Sequence, residues 1–366
     1  MTDDRGQTAT HSRDASLGVR EGEANSHSSH YSPLLVSHRP AHHKMSSSAT
    51  TSPVSLVDMP ELPLKHILSH VGFRSLQSLR LVSKPLCQFI ETKKLSVPID
   101  NLCVRVTQDS VVINLRSCGL KSHLRIYKHE EGAEICSGDN TRCYEGMDYR
   151  DYSLNLLKYV LNTPTTHTFK ILEYSDNGKS NFCKMFEKFL TQQKIILKVC
   201  EFSLEGNENQ AIQLLPFLDS SILKELDFTW TKGNKSKKDG LMKLEQWKKA
   251  KILISEDEKI FRVPIQHFGH FEISRFNMLN ITAKDLLYLK EKYTQSPVFS
   301  RANICCERSV SPDVAYGEPV CRGSEEGAGK WIFRCSDPNY ELIIYYGDDS
   351  YSYSREHISN TTLSSS

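Results

Sequence analysis

The sequence predicts an α/β protein with a small helical module ahead of a larger sheet-containing region. Three observations carry that expectation. Residues 56–90 hold apolar residues at helical spacing in three short runs. Residues 101–127 alternate apolar and polar side chains, the pattern of half-buried strands. From residue 151 onward, helical patterns of about ten to fourteen residues alternate with short strand-like runs, which points to a parallel sheet. Residues 1–52 are rich in Ser, Thr and His and poor in large apolar side chains, so a disordered tail is expected there.

The helical module comes first. Asp58 and Glu61 have capping-box spacing, and Pro60 and Pro63 fit only near a helix start. Leu64, Ile67, Leu68 and Val71 then recur at i, i+3, i+4 and i+7, and Gly72 stops the helix. A second helix is expected from Arg74 to Ser83, with Leu76, Leu79 and Val82 facing inward. Lys84-Pro85 opens a third, with Leu86, Phe89 and Ile90 at i, i+3 and i+4. Each helix is marginal alone, and so small a module cannot close its own core. Its apolar face is therefore expected to stay unfinished until another surface covers it. The alternative is three core helices of one larger domain.

The connector at 96–150 is expected to hold two or three antiparallel strands, at Asn101–Val106, Ser110–Arg116 and Leu124–Tyr127, with a loop from Lys128 to Arg150. The α/β region follows over 151–306. Helices are expected at Tyr152–Leu161, Asn181–Gln192, Asn207–Leu218, Leu241–Ala250 and Thr282–Gln295. Strands are expected at Phe169–Tyr174, Ile195–Leu204, Leu223–Trp230, His267–Phe276 and Val298–Cys305. Phe202 and Phe228 stand at matching places in successive strands, and such spacing suits a leucine-rich-repeat-like array. An ordinary open α/β sheet is the alternative. Residues 307–330 read as a loop, 331–346 as a closing pair of strands, and 347–366 as a frayed polar tail.

Composition narrows function by exclusion. The formal net charge is +2, which argues against nucleic acid as a partner. The 11 cysteines are odd in number and form no C-x-x-C pair, and several sit in apolar runs. They read as reduced thiols of an intracellular protein, cytoplasmic or nuclear. The N-terminus lacks an apolar signal region, and no run is long enough to span a bilayer, so no membrane partner is expected. Phosphate-loop, dinucleotide-loop, nucleophile-elbow and H-E-x-x-H motifs are all missing. His267 and His270 read as packed or partly exposed side chains rather than ligands. The expectation is a non-enzyme with no catalytic residue, cofactor or metal.

The order Met59-Pro60, Ile67-Leu68, then Leu76-x-x-Leu79-Arg-Leu-Val-Ser-Lys84 resembles an F-box, here placed at 53–95. Leu86 stands where many F-boxes carry tryptophan, and Met59 where leucine is usual. Both exchanges keep apolar volume. Downstream, Asn207-Glu-Asn-Gln-Ala-Ile-Gln-Leu-Leu-Pro-Phe-Leu, Leu-Glu-Gln-Trp247, His-Phe-Gly-His-Phe271 and Ile-Thr-Ala-Lys-Asp-Leu-Leu-Tyr288 resemble the FTH domain, which accompanies an N-terminal F-box in a large nematode family.

The resemblance implies a substrate-recognition adaptor of a Skp-cullin-F-box ubiquitin ligase. It implies that Leu56, Met59, Pro60, Leu64, Ile67, Leu68, Val71, Leu76, Leu79, Val82 and Leu86 serve docking to the Skp adaptor, and through it to cullin. The FTH domain would hold a target protein. A ligase-independent scaffold, its FTH domain holding a regulatory partner, is the competing expectation.

Overall fold

Pro60 opens the first helix. A 3-10 turn at Leu56–Asp58 leads into α1, Glu61–Ser69, with Pro60 at the N-cap and no side-chain cap bond. The cap is therefore not the Asp58-centred box that the spacing predicted. The fixed φ of proline, here −55°, sets the entry instead. Helix α2, Lys84–Thr92, carries Pro85 in its first turn, where no backbone donor is needed. Between them Ser75, Leu76 and Leu79 are helical. Lys93 meets Glu61 at 2.7 Å and ties the end of α2 to the start of α1.

The computed structural model describes residues 56–71, 75–76, 79, 83–93, 99–117, 119–138, 140–161, 168–231, 240–255, 260–324 and 328–358, all within one unit of the chain. The expected tail at 1–52, Gly72, Val82 and most of the expected second helix lie outside the described residues.

The connector forms an antiparallel meander of β1 Asn101–Val106, β2 Ser110–Ser117, β3 Leu120–His129, β4 Gly132–Ser137 and β5 Asn140–Glu145. The loop expected from 128 to 150 is thus largely sheet. Strand β5 exposes every side chain, so no apolar alternation announces it, and backbone pairing with β4 holds it. At the β3–β4 turn a Cβ on Gly132 would collide with the Tyr144 carbonyl oxygen, so glycine is required.

After α3, Tyr149–Leu161, the chain alternates: β6 Phe169–Asp176, α4 Phe182–Gln193, β7 Val199–Gly206, α5 Glu208–Leu214, β8 Glu225–Trp230, α6 Glu245–Lys249 and β9 Ile252–Ile254. Then come β10 Ile260–Phe261, β11 Ile273–Asn280, α7 Ala283–Gln295 and β12 Arg301–Arg308. The last elements are α8 Asp313–Tyr316, β13 Cys321–Arg322, β14 Gly329–Arg334, β15 Tyr340–Gly347 and β16 Ser350–His357.

All strands share one sheet, ordered β13-β14-β15-β16-β12-β11-β9-β8-β7-β6-β1-β2-β3-β4-β5, with β10 beside β11. From β6 to β12 the pairs are parallel and the order advances in one direction. Right-handed crossovers then place α4, α5, α6 and α7 on one face of the sheet. That face is apolar: Leu172, Phe202, Leu226, Leu253, Phe276 and Ile304 are all buried there. The connector is continuous with the array, because β1 pairs with β6 in parallel.

Three expectations are refined or corrected. The stretch His267–Phe276 does hold a strand, but only from Ile273, where β11 starts, after a 3-10 turn at Ile265–His267 and a bend. Packing explains the shift. Phe268 and Phe271 meet the buried Trp247 ring at 5.6 and 5.3 Å, and Phe268 stacks on Phe276 at 4.2 Å. The expected loop at 307–330 contains α8 and β13. The expected tail from 347 contains β16, whose Tyr351 and Tyr353 are fully buried while the intervening serines face the other way.

Candidate interaction surfaces

The α1 stripe divides between inside and outside. Leu64 and Leu68 are buried, and so are Leu76, Leu86 and Ile90. All five belong to the chain's hydrophobic core cluster, and Leu56, Val71 and Leu79 pack partly against it. Part of the apolar surface is expected to need a partner, with some of these residues core and some interface; the chain itself buries Leu64, Leu68, Leu76, Leu86 and Ile90. Met59, Leu62 and Ile67 remain outside, at 36%, 78% and 40% exposure, with Pro60 and Pro63 also exposed. Leu62 was absent from the residues named for docking. Its place outside the i, i+3, i+4 stripe is the reason, and the stripe itself divides, with Leu64 and Leu68 inward and Ile67 outward. Val82 lies outside the described residues.

The second surface is the sheet face opposite the helices. Its residues follow from the register. Cys103, Glu173, Ser203 and Asp227 are successive cross-strand neighbours on β1, β6, β7 and β8. A parallel row runs through Asn101, Ile171, Glu201 and Glu225, and another through Arg105, Ser175, Glu205 and Thr229. Strands β6 to β8 therefore present a strip of carboxylates to solvent. Glu201 and Glu225 lie directly opposite each other, a like-charge placement that costs stability. Partial burial, then the charges of Glu201 and Asp227, push the Glu225 carboxyl up. Ser203 donates to Asp227 at 3.1 Å and Ser175 to Glu205 at 2.7 Å. On the next strands the face turns apolar at Ile252, Ile254 and Ile273, then basic at Arg275 and Arg301.

The residues with catalytic chemistry are placed otherwise. Burial, then Cys305 and Asp349, push the Cys306 thiol up to about 12, the opposite of an activated nucleophile. His270 donates from Nε2 to the Trp247 carbonyl oxygen at 2.9 Å, while Trp247 Nε1 donates to the His267 carbonyl oxygen at 3.0 Å. Both histidines thus brace α6 against the following turn. Among the described residues no three His, Cys, Asp or Glu side chains gather as a metal site. No helix of the described residues is long and apolar enough to cross a membrane.

Comparison with known proteins identifies two of these regions. Residues 56–97 match the F-box domain, covering α1 and α2, and residues 180–316 match the FTH domain, from α4 to α8. Members of the F-box family are generally non-catalytic adaptors that bind Skp-type subunits. A curated relative, F-box A protein 224 of Caenorhabditis elegans, is 23% identical over 277 residues, which cover 73% of this chain and 71% of that protein. No solved structure matches. The helical module at the front and the α/β region behind it are therefore an F-box and an FTH domain, and the chain is an F-box protein with a C-terminal FTH domain.

Proposed function

We propose that this chain is a substrate-recognition adaptor of a Skp-cullin-F-box ubiquitin ligase. The F-box docks on the Skp adaptor, and the leucine-rich-repeat-like region behind it holds the target protein. The observation that carries the reading is the exposure of Met59, just before α1, and of Leu62 and Ile67 on it, while Leu64 and Leu68 of the same helix are locked into the core. Large apolar side chains left in solvent at and around so short a helix suit a partner interface. A rigid inner half, with Leu64 and Leu68 already buried, presents that trio without further ordering and so lowers the entropy lost on docking. The chain itself supplies proximity, holding target lysines near the charged ubiquitin carrier.

Reconstitution tests this directly. The full chain is mixed with a Skp-family adaptor and cullin, and all three are followed by affinity capture. Wild type should retain both partners, and Ile67→Asp should lose both together. Adaptor capture without cullin would overturn the ligase reading in favour of a scaffold. No adaptor capture by wild type would overturn docking altogether.

A further inference from the structure

A cavity of about 400 Å³ opens on the helix-free face of β1, β2 and β3. Arg105, Arg116, Lys121 and His123 line it, with the mostly buried Cys103 among them and Glu173 of β6 as its one acid. Arg116 and Lys121 are direct cross-strand partners, a like-charge placement that an anion would relieve. Among the described residues neither has a carboxylate partner, and Glu173 lies toward Arg105 at 4.0 Å. Arg125 donates from Nε to His123 Nε2 at 2.7 Å, and the other ring nitrogen faces Asn114 Oδ1, so the imidazole also braces a third arginine along this face. Burial, then Glu173, raises the Cys103 thiol, which keeps it neutral and leaves the cavity cationic.

The neighbouring surface narrows the ligand. Strands β6, β7 and β8 carry Glu173, Glu201, Glu205, Glu225 and Asp227 on the same face. A nucleic acid or an anionic bilayer laid on the basic cavity would press against those carboxylates. A single oxyanion with cations beyond it fits both zones. Strands are spaced by about 4.8 Å, so β2 stands roughly 14–19 Å from β7 and β8. An extended polypeptide covers that span in about four to six residues.

We propose that this cavity is an oxyanion subsite for a target segment in which a carboxylate or phosphoryl side chain lies about four to six residues from lysines or arginines. The segment runs across the strands, its anion between Arg105, Arg116 and Lys121 and its cations over the carboxylate strip. The cavity belongs to neither matched domain, since β1–β3 fall between residues 97 and 180. The inference rests on the reading that the region behind the F-box holds the target.

The test uses the full chain and fluorescent peptides, followed by anisotropy at low salt. One peptide has two glutamates at one end and three lysines at the other, and a second interleaves the same residues. A third carries phosphoserine in place of a glutamate. The segregated peptides should bind at least about tenfold tighter than the interleaved one, since only they satisfy both zones. Arg116→Glu with Lys121→Glu should remove that advantage, and should bind an all-lysine peptide more tightly than wild type does. Both side chains are exposed, and an unchanged melting temperature checks the fold. Equal affinity for segregated and interleaved peptides, or no change in the double variant, would overturn the subsite. So would displacement by millimolar inorganic phosphate of every peptide alike, which marks a simple anion site. The double variant should capture the Skp adaptor as wild type does. A segregated-peptide advantage that is missing from wild type, or that survives in the double variant, with adaptor capture intact then overturns the subsite alone, and undiminished adaptor capture in Ile67→Asp with the peptide advantage intact overturns the docking reading alone.

Discussion

Leu62 and Ile67 offer the sharpest test of how α1 is divided. They keep 78% and 40% of their surface in solvent, whereas Leu64 and Leu68 keep 3% and 0%. Fully burying such a side chain contributes about 1.5–3 kcal/mol. Scaled by the surface still exposed, coverage by an adaptor adds about 1–2 kcal/mol at Leu62 and about 0.6–1.2 kcal/mol at Ile67. Together that is roughly 2–3.5 kcal/mol, or about 30- to 400-fold in the dissociation constant. Leu62→Asp with Ile67→Asp removes that term and places two charges in the interface, so the loss should reach at least the upper part of that range. The same reasoning assigns Leu68 almost no docking energy, because its surface is already spent inside the chain. Leu68→Ala should instead destabilise folding by about 2–5 kcal/mol. Calorimetric titration against a purified Skp-family adaptor reads the first quantity, and urea denaturation of the chain alone reads the second. The division fails if the double aspartate variant binds within threefold of wild type. It also fails if Leu68→Ala weakens docking while leaving stability untouched.

Two further outcomes follow from the FTH region. Thr282 and Asp285 form a reciprocal capping box on α7, with Thr282 Oγ1 accepting from the Asp285 N–H at 3.3 Å and Asp285 Oδ2 accepting from the Thr282 N–H at 2.9 Å. Thr282→Ala should cost about 0.5–2 kcal/mol and lower the denaturation midpoint, whereas Thr282→Ser should keep it, and equal midpoints for all three proteins would remove the cap from the account. Burial, partly offset by the hydrogen bond to the Trp247 carbonyl oxygen, holds His270 below the ordinary histidine range. The folded chain therefore takes up that proton less readily than the unfolded chain. Its contribution is fully present above about pH 6.5 and is lost as pH falls toward the depressed folded value. His270→Gln should flatten the fall in stability between about pH 7.5 and about pH 5.5, and an unaltered slope in the variant would assign the effect to other groups.

Much of the architecture was readable before any coordinates. The helix starts at Pro60 and Lys84, the alternation from residue 151 and the helix over Thr282–Gln295 all rest on local signals: proline's fixed φ, apolar period and a cap. The elements that escaped lacked such signals. Strand β5, Asn-Thr-Arg-Cys-Tyr-Glu, buries no side chain and exists because β4 pairs with it. Strand β16 did carry a period of two, in its alternating tyrosines and serines, but its polarity concealed it. Tyr351 and Tyr353 become core only because Val310 and Tyr316 supply partners for their hydroxyls, through a hydrogen bond to the Val310 carbonyl oxygen and an O···O contact of 3.3 Å with Tyr316.

The interaction surfaces divide in the same way. The residues from Leu56 to Ile90 determined by themselves that a short apolar helical module stands at the front of the chain, because helical period and proline geometry are properties of neighbouring residues. Which side of that module remains open was decided by the tertiary structure, for Leu68 and Ile67 are adjacent and equally apolar, and only the core beneath them separates 0% from 40% exposure. The charged face of the sheet is likewise a product of register: Arg116 with Lys121, and Glu201 with Glu225, become neighbours through strand pairing across 5 and 24 residues of chain. Local sequence sets the period of each element, whereas burial and cross-strand charge arise from contacts between residues that the chain brings together only on folding.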